Sequence, residues 1–173
     1  MPSGPEDMSW LPIDPQQMQA AADLGERVHV NYPEDYSCFY RRYELYSKGF
    51  FALTANNGSL LGYGVAHPWL VGAPPRLNEY LFALPKDADC LHLHDIVVEK
   101  VVRVRGHAAA LVHRWIELAR SEGYAYATLV AVSGTEVIWR KFGFRALSTT
   151  HAREACASYS TTSIYMILML NDN

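Results

Sequence analysis

Residues 91–108 read LHLHDIVVEKVVRVRGHA and carry the clearest fold signal in the sequence. It begins by alternating Leu with His and then turns wholly apolar, which predicts a β-strand over 91–98 that is covered on both faces. Residues 106–122 place apolar side chains at helical spacing and keep most polar ones off that stripe, which predicts an amphipathic helix. A strand therefore passes through a short basic loop into a helix.

Elements of both kinds continue on either side of this stretch. Helical spacing predicts further helices over 16–28, from 34 to a stop at Gly49, and over 136–141. Asn56-Asn57-Gly58 lies between two apolar runs, and Asn-Gly at such a place is a strong hairpin signal. Runs rich in β-branched or large apolar side chains predict strands over 50–55, 60–67, 124–132, 144–149 and 161–170.

The order of these elements predicts how the strands pair. Strands separated by a helix favour parallel pairing, whereas the hairpin and the last two strands favour antiparallel pairing. The predicted fold class is therefore α/β, with a mixed central β-sheet flanked by helices. We expect residues 15–173 to form this single domain and the Pro-rich residues 1–14 to form an N-terminal extension.

Composition argues against several kinds of partner. The 173-residue chain has a net charge of −3 and 19% charged residues, so no positive field attracts nucleic acid or an anionic membrane. Its cysteines, Cys38, Cys90 and Cys156, lie far apart and form no pair spaced to bind a metal. The N-terminus carries Pro, Gly, Glu and Asp in place of a basic and apolar leader. We therefore expect a cytoplasmic protein with reduced thiols and no metal site.

Residues 103–108, between the strand and the helix, predict an anion-binding site. Gly106 lets the backbone approach a ligand without a Cβ in the way. The first amides of the following helix have no intrahelical acceptor and lie at the positive end of the helix dipole. Arg103 and Arg105 add positive charge, so the turn suits a pyrophosphate. A plain junction between loop and helix, with solvated arginines, fits the same residues.

The spacing Arg103, two residues, Gly106, one residue, Ala108 resembles the acetyl-coenzyme A signature of the GNAT superfamily of N-acetyltransferases. The segment WRKFGF at 139–144 resembles the second sequence block of that family. The resemblance covers roughly residues 15–170. It implies a single-domain GNAT fold in which two parallel strands splay apart, and acetyl-coenzyme A as the cofactor whose pantetheine arm enters the opening.

The resemblance also implies where the cofactor and its thioester lie. The pantetheine arm would pair with the end of the strand over 91–98, and backbone amides near Val97 would stabilise the developing oxyanion. Ser133, after the next strand, would sit beside the thioester as a catalytic residue. The implied cofactor-binding residues are Ile96, Val97, Val98, Arg103, Val104, Arg105, Gly106, His107, Ala108 and Trp139.

A pair of histidines is the candidate base. An alkylammonium with a pKa of ~10.4 must lose a proton before it attacks a thioester, and an imidazole with a pKa of ~6.5 suits that task. His92 and His94 are two apart on a predicted strand, so both face one way and Asp95 faces the other. The same pattern also fits two histidines that only make hydrogen bonds in a half-buried site and have no catalytic role. His-Leu-His resembles the arylalkylamine (serotonin) N-acetyltransferases, which implies that both relay the amine's proton through water.

Trp139 departs from the family pattern. A tyrosine commonly stands there as the acid for the departing thiolate, and an indole cannot serve in that way. Because a thiol has a pKa of ~8.5, the thiolate leaves with little help, or Ser133, Tyr126 or a water supplies the proton. The sequence leaves these possibilities open.

The acceptor is expected to be a small primary amine, an arylalkylamine or a polyamine, acetylated by direct attack in a ternary complex. An aromatic stripe on the second predicted helix, from Tyr36 to Tyr46, fits either a core or one wall of the acceptor site. A protein or peptide N-acetyltransferase and a coenzyme A-binding module without catalysis are the alternatives. A homodimer is compatible with the fold, although no segment specifies the interface.

Overall fold

A computed structural model describes residues 8–132 and 134–170, and these residues form one α/β domain. The strands are β1 (Trp10–Pro12), β2 (Phe51–Thr54), β3 (Leu60–Trp69), β4 (Cys90–Val98), β5 (Tyr126–Ala131), β6 (Arg145–Ala146) and β7 (Ile164–Met169). The helices are α1 (Met18–Val28), α2 (Tyr36–Leu45), α3 (His107–Ser121), α4 (Glu136–Lys141) and α5 (Thr150–Ala157). Short 3-10 turns cover Pro15–Gln17, Ser47–Gly49 and Lys100–Arg105.

The sheet is mixed, as the order of elements predicts. Its strands lie in the order β1-β2-β3-β4-β5-β7-β6. The β4–β5 pair is parallel, and the other neighbouring pairs are antiparallel. The parallel pair is therefore the place where a crossover helix, α3, carries the chain from one strand to its neighbour.

The two parallel strands separate partway along their length. Their pairing runs from Cys90 opposite Tyr126 to His92 opposite Thr128. Beyond those residues β4 continues to Val98 and pairs only with β3, while β5 pairs only with β7. The splay that the family resemblance implies is thus confirmed, and it leaves one edge of β4 without a strand in the part of the chain described.

Three elements differ from the sequence-based expectation. The strand predicted over 144–149 is only the two residues of β6. The second is the helix α5, which begins at Thr150, where the hydroxyl of Thr149 accepts a hydrogen bond from the amide of Ala152 as an N-cap. The third is β1, within the expected N-terminal extension, where Trp10 is buried and donates to the carbonyl of His107 at 2.7 Å.

The sheet has a packed core on each face. On one face α3 lies against the strands through Leu111, Val112 and Trp115, all fully buried. On the other face α1 and α2 enclose a second cluster that includes Phe39 and Tyr63. Phe39 is thus the core member of the aromatic stripe, whereas Tyr36 is exposed and stacks on Tyr40.

The contact between α3 and β3 depends on Gly64. A Cβ there would lie 2.3 Å from Leu111 Cδ2 and 2.6 Å from Trp115 Cζ2, and both of those side chains are fully buried. We expect Gly64→Ala to lower the free energy of unfolding by about 1–3 kcal/mol, measured by urea denaturation, because the core is overpacked. Gly58→Asn is the control, since no described atom beyond the chain neighbours lies within 4 Å of the position of a Cβ there and Asn tolerates the positive φ of 86°. Equal losses in both variants would contradict the packing argument.

Candidate acetyl-transfer site

A cavity of about 540 Å³ opens between the splayed ends of β4 and β5. One wall is the unpaired part of β4, Leu93 to Val98, and the facing wall includes Leu129 and Val130 of β5. The start of α3 and residues of α4 close one end of the cavity. The lining is mainly apolar, so a long, largely uncharged ligand fits between the strands.

Several predicted cofactor residues line this cavity. They are Ile96, Val97, Val98, Arg103, Ala108 and Trp139. The backbone of Val104, together with Arg105, belongs to the 3-10 turn, and Gly106 and His107 join that turn to α3. The structure therefore places the predicted turn at the mouth of the cavity, and Ser133 lies outside the described residues.

The geometry of the turn suits a diphosphate. Gly106 has a φ of 77°, a left-handed conformation that favours glycine. Apart from its chain neighbours, no atom of the described residues lies within 4 Å of the position that a Cβ would take. The first helical bond of α3 joins the amide of Ala110 to the carbonyl of Gly106 at 3.1 Å. Among the described residues, the amides just before Ala110 have no intrahelical acceptor and are placed to bind an anion. Arg103 Nε donates to the carbonyl of Val98 at 2.9 Å, which ties the turn to the end of β4.

Strand β4 carries a bulge at His94. Opposite it, Val65 of β3 pairs with Asp95 and the next residue, Ala66, pairs with Leu93, so His94 is the extra residue. The prediction that Asp95 faces away from the histidines is wrong, because the bulge interrupts the alternation of side chains. His94 and Asp95 both line the cavity.

His94 is held by a carboxylate that the sequence analysis did not identify. Its Nε2 lies 3.1 and 3.2 Å from the two carboxylate oxygens of Glu34, and its side chain is only 3% exposed. The other ring nitrogen, Nδ1, is buried with no hydrogen-bond partner among the described residues. His94 therefore has one nitrogen oriented by a carboxylate and one left for a ligand.

Glu34 is in turn held by Arg42 of α2. The fully buried guanidinium of Arg42 donates to Glu34 Oε1 at 2.6 Å. Burial acts to raise the pKa of Glu34, yet the charge and hydrogen bond of His94 and the charge of Arg42 outweigh it and lower that pKa. Glu34 is thus a carboxylate at neutral pH.

His92 occupies a different position from His94. It is fully buried, does not line the cavity, and has Nδ1 3.0 Å from Thr128 Oγ1. Burial first, and then the charges of His94 and Arg42, hold the pKa of His92 well below its usual value. The ring centroids of His92 and His94 are 6.3 Å apart, so His92 lies as a neutral imidazole behind the one that faces the cavity.

Aromatic residues line the rest of the cavity. Trp139 is packed against Phe142 and Phe144, with ring centroids 5.9 and 5.8 Å away. Tyr32 and Tyr159 lie at the same end as Glu34 and have ring centroids 6.3 Å apart. Burial raises the pKa of Tyr159, so its phenol keeps its proton at neutral pH. Tyr159 follows α5, and neither feature is predicted by the sequence pattern.

In the described residues, no helix is both long enough and apolar enough to cross a bilayer.

No curated protein sequence matches this chain. Many solved structures, in contrast, match it. Ard1 from Thermoplasma volcanium is 12% identical with a TM-score of 0.72, over 95% of this chain and 99% of that one.

Two further similar structures contain coenzyme A. A NatC complex bound to a Gag peptide and coenzyme A is 15% identical with a TM-score of 0.72, over 95% of this chain and 99% of the matched chain. N-acetylglutamate synthase from Neisseria gonorrhoeae, complexed with coenzyme A and N-acetyl-glutamate, is 15% identical with a TM-score of 0.71. That match covers 98% of this chain and 37% of the synthase. At these identities the similarity establishes the fold.

The family itself follows from the sequence. A model of the acetyltransferase (GNAT) family matches residues 17–144, which is well over half of the chain and includes the turn at 103–108 and the pair Glu34 and His94. The chain belongs to the GNAT family of acetyltransferases, for which acetyl-coenzyme A is the acyl donor.

Proposed function

We propose that this protein transfers the acetyl group of acetyl-coenzyme A to a small primary amine by direct attack in a ternary complex. One observation carries the proposal: a single cavity runs from Arg103 and Ala108, beside the turn, to Glu34 and His94. A donor anchored at the turn and an acceptor beside His94 would therefore share one space, with no need for an acetylated protein.

The cofactor end of the cavity fits an acyl-coenzyme A. The free edge of β4 over residues 93–98 offers backbone groups to the amides of a pantetheine arm, and the start of α3 offers unpaired amides to the diphosphate. Arg103 adds a positive charge beside them. When bound, acetyl-coenzyme A supplies the activated acetyl thioester.

The other end of the cavity has the groups that an amine needs. The carboxylates of Glu34 and Asp95 attract an alkylammonium, which is almost fully protonated at neutral pH because its pKa is ~10.4. With the Nε2–H of neutral His94 donating to Glu34, the lone pair of Nδ1 is left to accept the ammonium proton, directly or through water. Glu34 stabilises the imidazolium that forms, and the proton moves away from the amine nitrogen.

Among small amines, an arylalkylamine fits the lining best. Tyr32 and Tyr159 place two rings next to the carboxylates, which suits an aromatic group attached to an ammonium. A polyamine would use the carboxylates alone. The NatC complex was solved with a Gag peptide, so a peptide N-terminus is the third acceptor class to test.

A panel of acceptors tests this proposal. Acetylated product is quantified by mass spectrometry for arylalkylamines, polyamines and peptides at equal concentration. We expect kcat/KM to be highest for arylalkylamines, because one binding mode uses both the rings and the carboxylates. A higher value for peptides would overturn the assignment of the acceptor class. Tight coenzyme A binding with no acetylation of any amine would overturn the proposed enzyme activity.

A further inference from the structure

A second imidazole–carboxylate pair lines the same cavity. His29, after α1, has Nε2 2.8 Å from Asp95 Oδ1. The hydroxyl of Tyr63 donates to the other oxygen of Asp95 at 2.6 Å. Both His29 and Asp95 line the cavity, on the face of the sheet that α1 and α2 cover. The mechanism proposed above uses the charge of Asp95 to attract the ammonium, but it gives no role to His29 or Tyr63.

The pair is supported by a glycine inside α1. A Cβ on Gly25 would lie 2.3 Å from the Tyr63 hydroxyl, which is the group that holds Asp95. Glycine in the middle of a helix is less favourable than alanine, so this position lowers helix stability. Because Gly25 has no side chain, α1 packs close to Tyr63 without displacing the Tyr63 hydroxyl from its hydrogen bond with Asp95.

The hydrogen bond to Asp95 selects the reactive nitrogen of His29. With Nε2–H donating to Asp95, the neutral ring carries its lone pair on Nδ1, as an imidazole base oriented by a carboxylate does. His94 has the same arrangement, with Glu34 as its carboxylate. The acceptor end of the cavity thus has two oriented imidazoles.

The two imidazoles differ in their access to solvent. The His94 side chain is 3% exposed, whereas that of His29 is 28% exposed. A second cavity of about 560 Å³ lies beside α1 and α2, and its lining includes His29, Glu34 and Asp95, which also line the first cavity. His29 therefore lies in the wall that the two cavities share. An imidazolium at His94 has no comparable exposure through which to lose its proton.

The two pairs are also coupled by charge. Burial acts to lower the pKa of His29, but the hydrogen bond and charge of Asp95, with the charge of Glu34, raise it, against a smaller opposing effect of Arg103. Burial acts to raise the pKa of Asp95, and the bond and charge of His29, the charge of His94 and the Tyr63 hydroxyl together lower it. A proton on either imidazole therefore interacts electrostatically with the carboxylate of the other pair.

We propose that His29, held by Asp95, is the residue through which the amine's proton leaves the active site. This inference rests on the proposed function. The acceptor ammonium gives its proton to Nδ1 of His94. From there the proton passes through water in the cavity to Nδ1 of His29, and His29 releases it to buffer. Each transfer moves one proton, and both imidazoles return to their neutral forms before the next turnover.

The test is His29→Gln, whose amide can still donate to Asp95 but cannot carry a proton. We expect kcat to fall about 10²-fold, the lower end of the usual contribution of proton transfer by a side chain, with the KM for acetyl-coenzyme A unchanged. Added 2-methylimidazole should restore kcat in a concentration-dependent way. Product is measured as acetylated amine, because an imidazole can itself attack a thioester. His151→Gln, on the exposed face of α5, is the matched control and should behave as the parent does.

A titration provides a readout that does not depend on turnover. In an NMR titration, Asp95→Asn should lower the pKa of His29, because the raising charge is lost and burial remains. An unchanged pKa of His29 in that variant, or a parent-like kcat in His29→Gln with no response to 2-methylimidazole, would overturn the role of His29. A parent protein that acetylates no amine would instead count against the proposed function.

Discussion

Replacing His94 with alanine is expected to lower kcat for amine acetylation by about 10²–10⁴-fold, the usual contribution of a general base. The loss should be greatest at low pH, where the fraction of free amine is smallest and the missing base matters most. Coenzyme A affinity should stay close to that of the parent, because the turn at 103–108 is untouched. Steady-state kinetics from pH 6 to 9 and calorimetry measure the two effects.

His92 provides the comparison for this prediction. It lies behind His94 and contacts Thr128, so His92→Asn, which keeps a polar partner for the hydroxyl, should lower kcat less than His94→Ala does. Both variants must unfold at the temperature of the parent for the comparison to hold. A His94→Ala protein that retains the parent's pH profile would show that the base has been assigned to the wrong residue.

Substituting Ala108 with glutamate is expected to weaken coenzyme A binding and to stabilise the fold. Ala108 lines the cavity in the first turn of α3, where a carboxylate would face the diphosphate. We expect coenzyme A to bind about 10–100-fold more weakly, or by about 1.4–2.7 kcal/mol. The same carboxylate lies near the positive end of the helix dipole and should stabilise the fold by about 0.3–1 kcal/mol.

Ala110→Glu is the matched control for this charge. Ala110 is also exposed near the start of α3, but it does not line the cavity. The two variants carry the same net charge. Comparing their affinities for coenzyme A by calorimetry therefore separates the local effect of a carboxylate beside the diphosphate from the general effect of one more negative charge. If both variants lose the same affinity for coenzyme A, the anion site is not at the start of α3.

Most of the fold could be predicted because its signals are local. The strand, glycine turn and helix over residues 91–122 are specified by neighbours in sequence, and the structure places them as expected. The helix α5 was missed because its buried side is mostly small, with Ala152, Ala155 and Cys156, and an alanine stripe is a weak apolar signal. β1 was missed because Trp10 is held by residues far along the chain.

The site was less predictable because its geometry arises from contacts between distant elements. The bulge at His94 is set by the register with β3, and it brings Asp95 to the cavity against the simple alternation of a strand. The sequence pattern predicts Glu34 only as the start of a helix and does not predict its contact with His94. One signal was available: Arg42 follows the buried Phe39 by three residues, so a charged group lies on the core side of α2 and requires a partner.

We propose that the acetyl group passes directly from the donor to an amine within one cavity. The most direct measurement uses acetyl-coenzyme A with a labelled acetyl group, followed by mass spectrometry of both the protein and the amine. We predict unlabelled protein after incubation with the donor alone, and one labelled amine per thiol released once an arylalkylamine is added. Label on the protein before the amine is present, or thiol release without labelled amine, would contradict the claim.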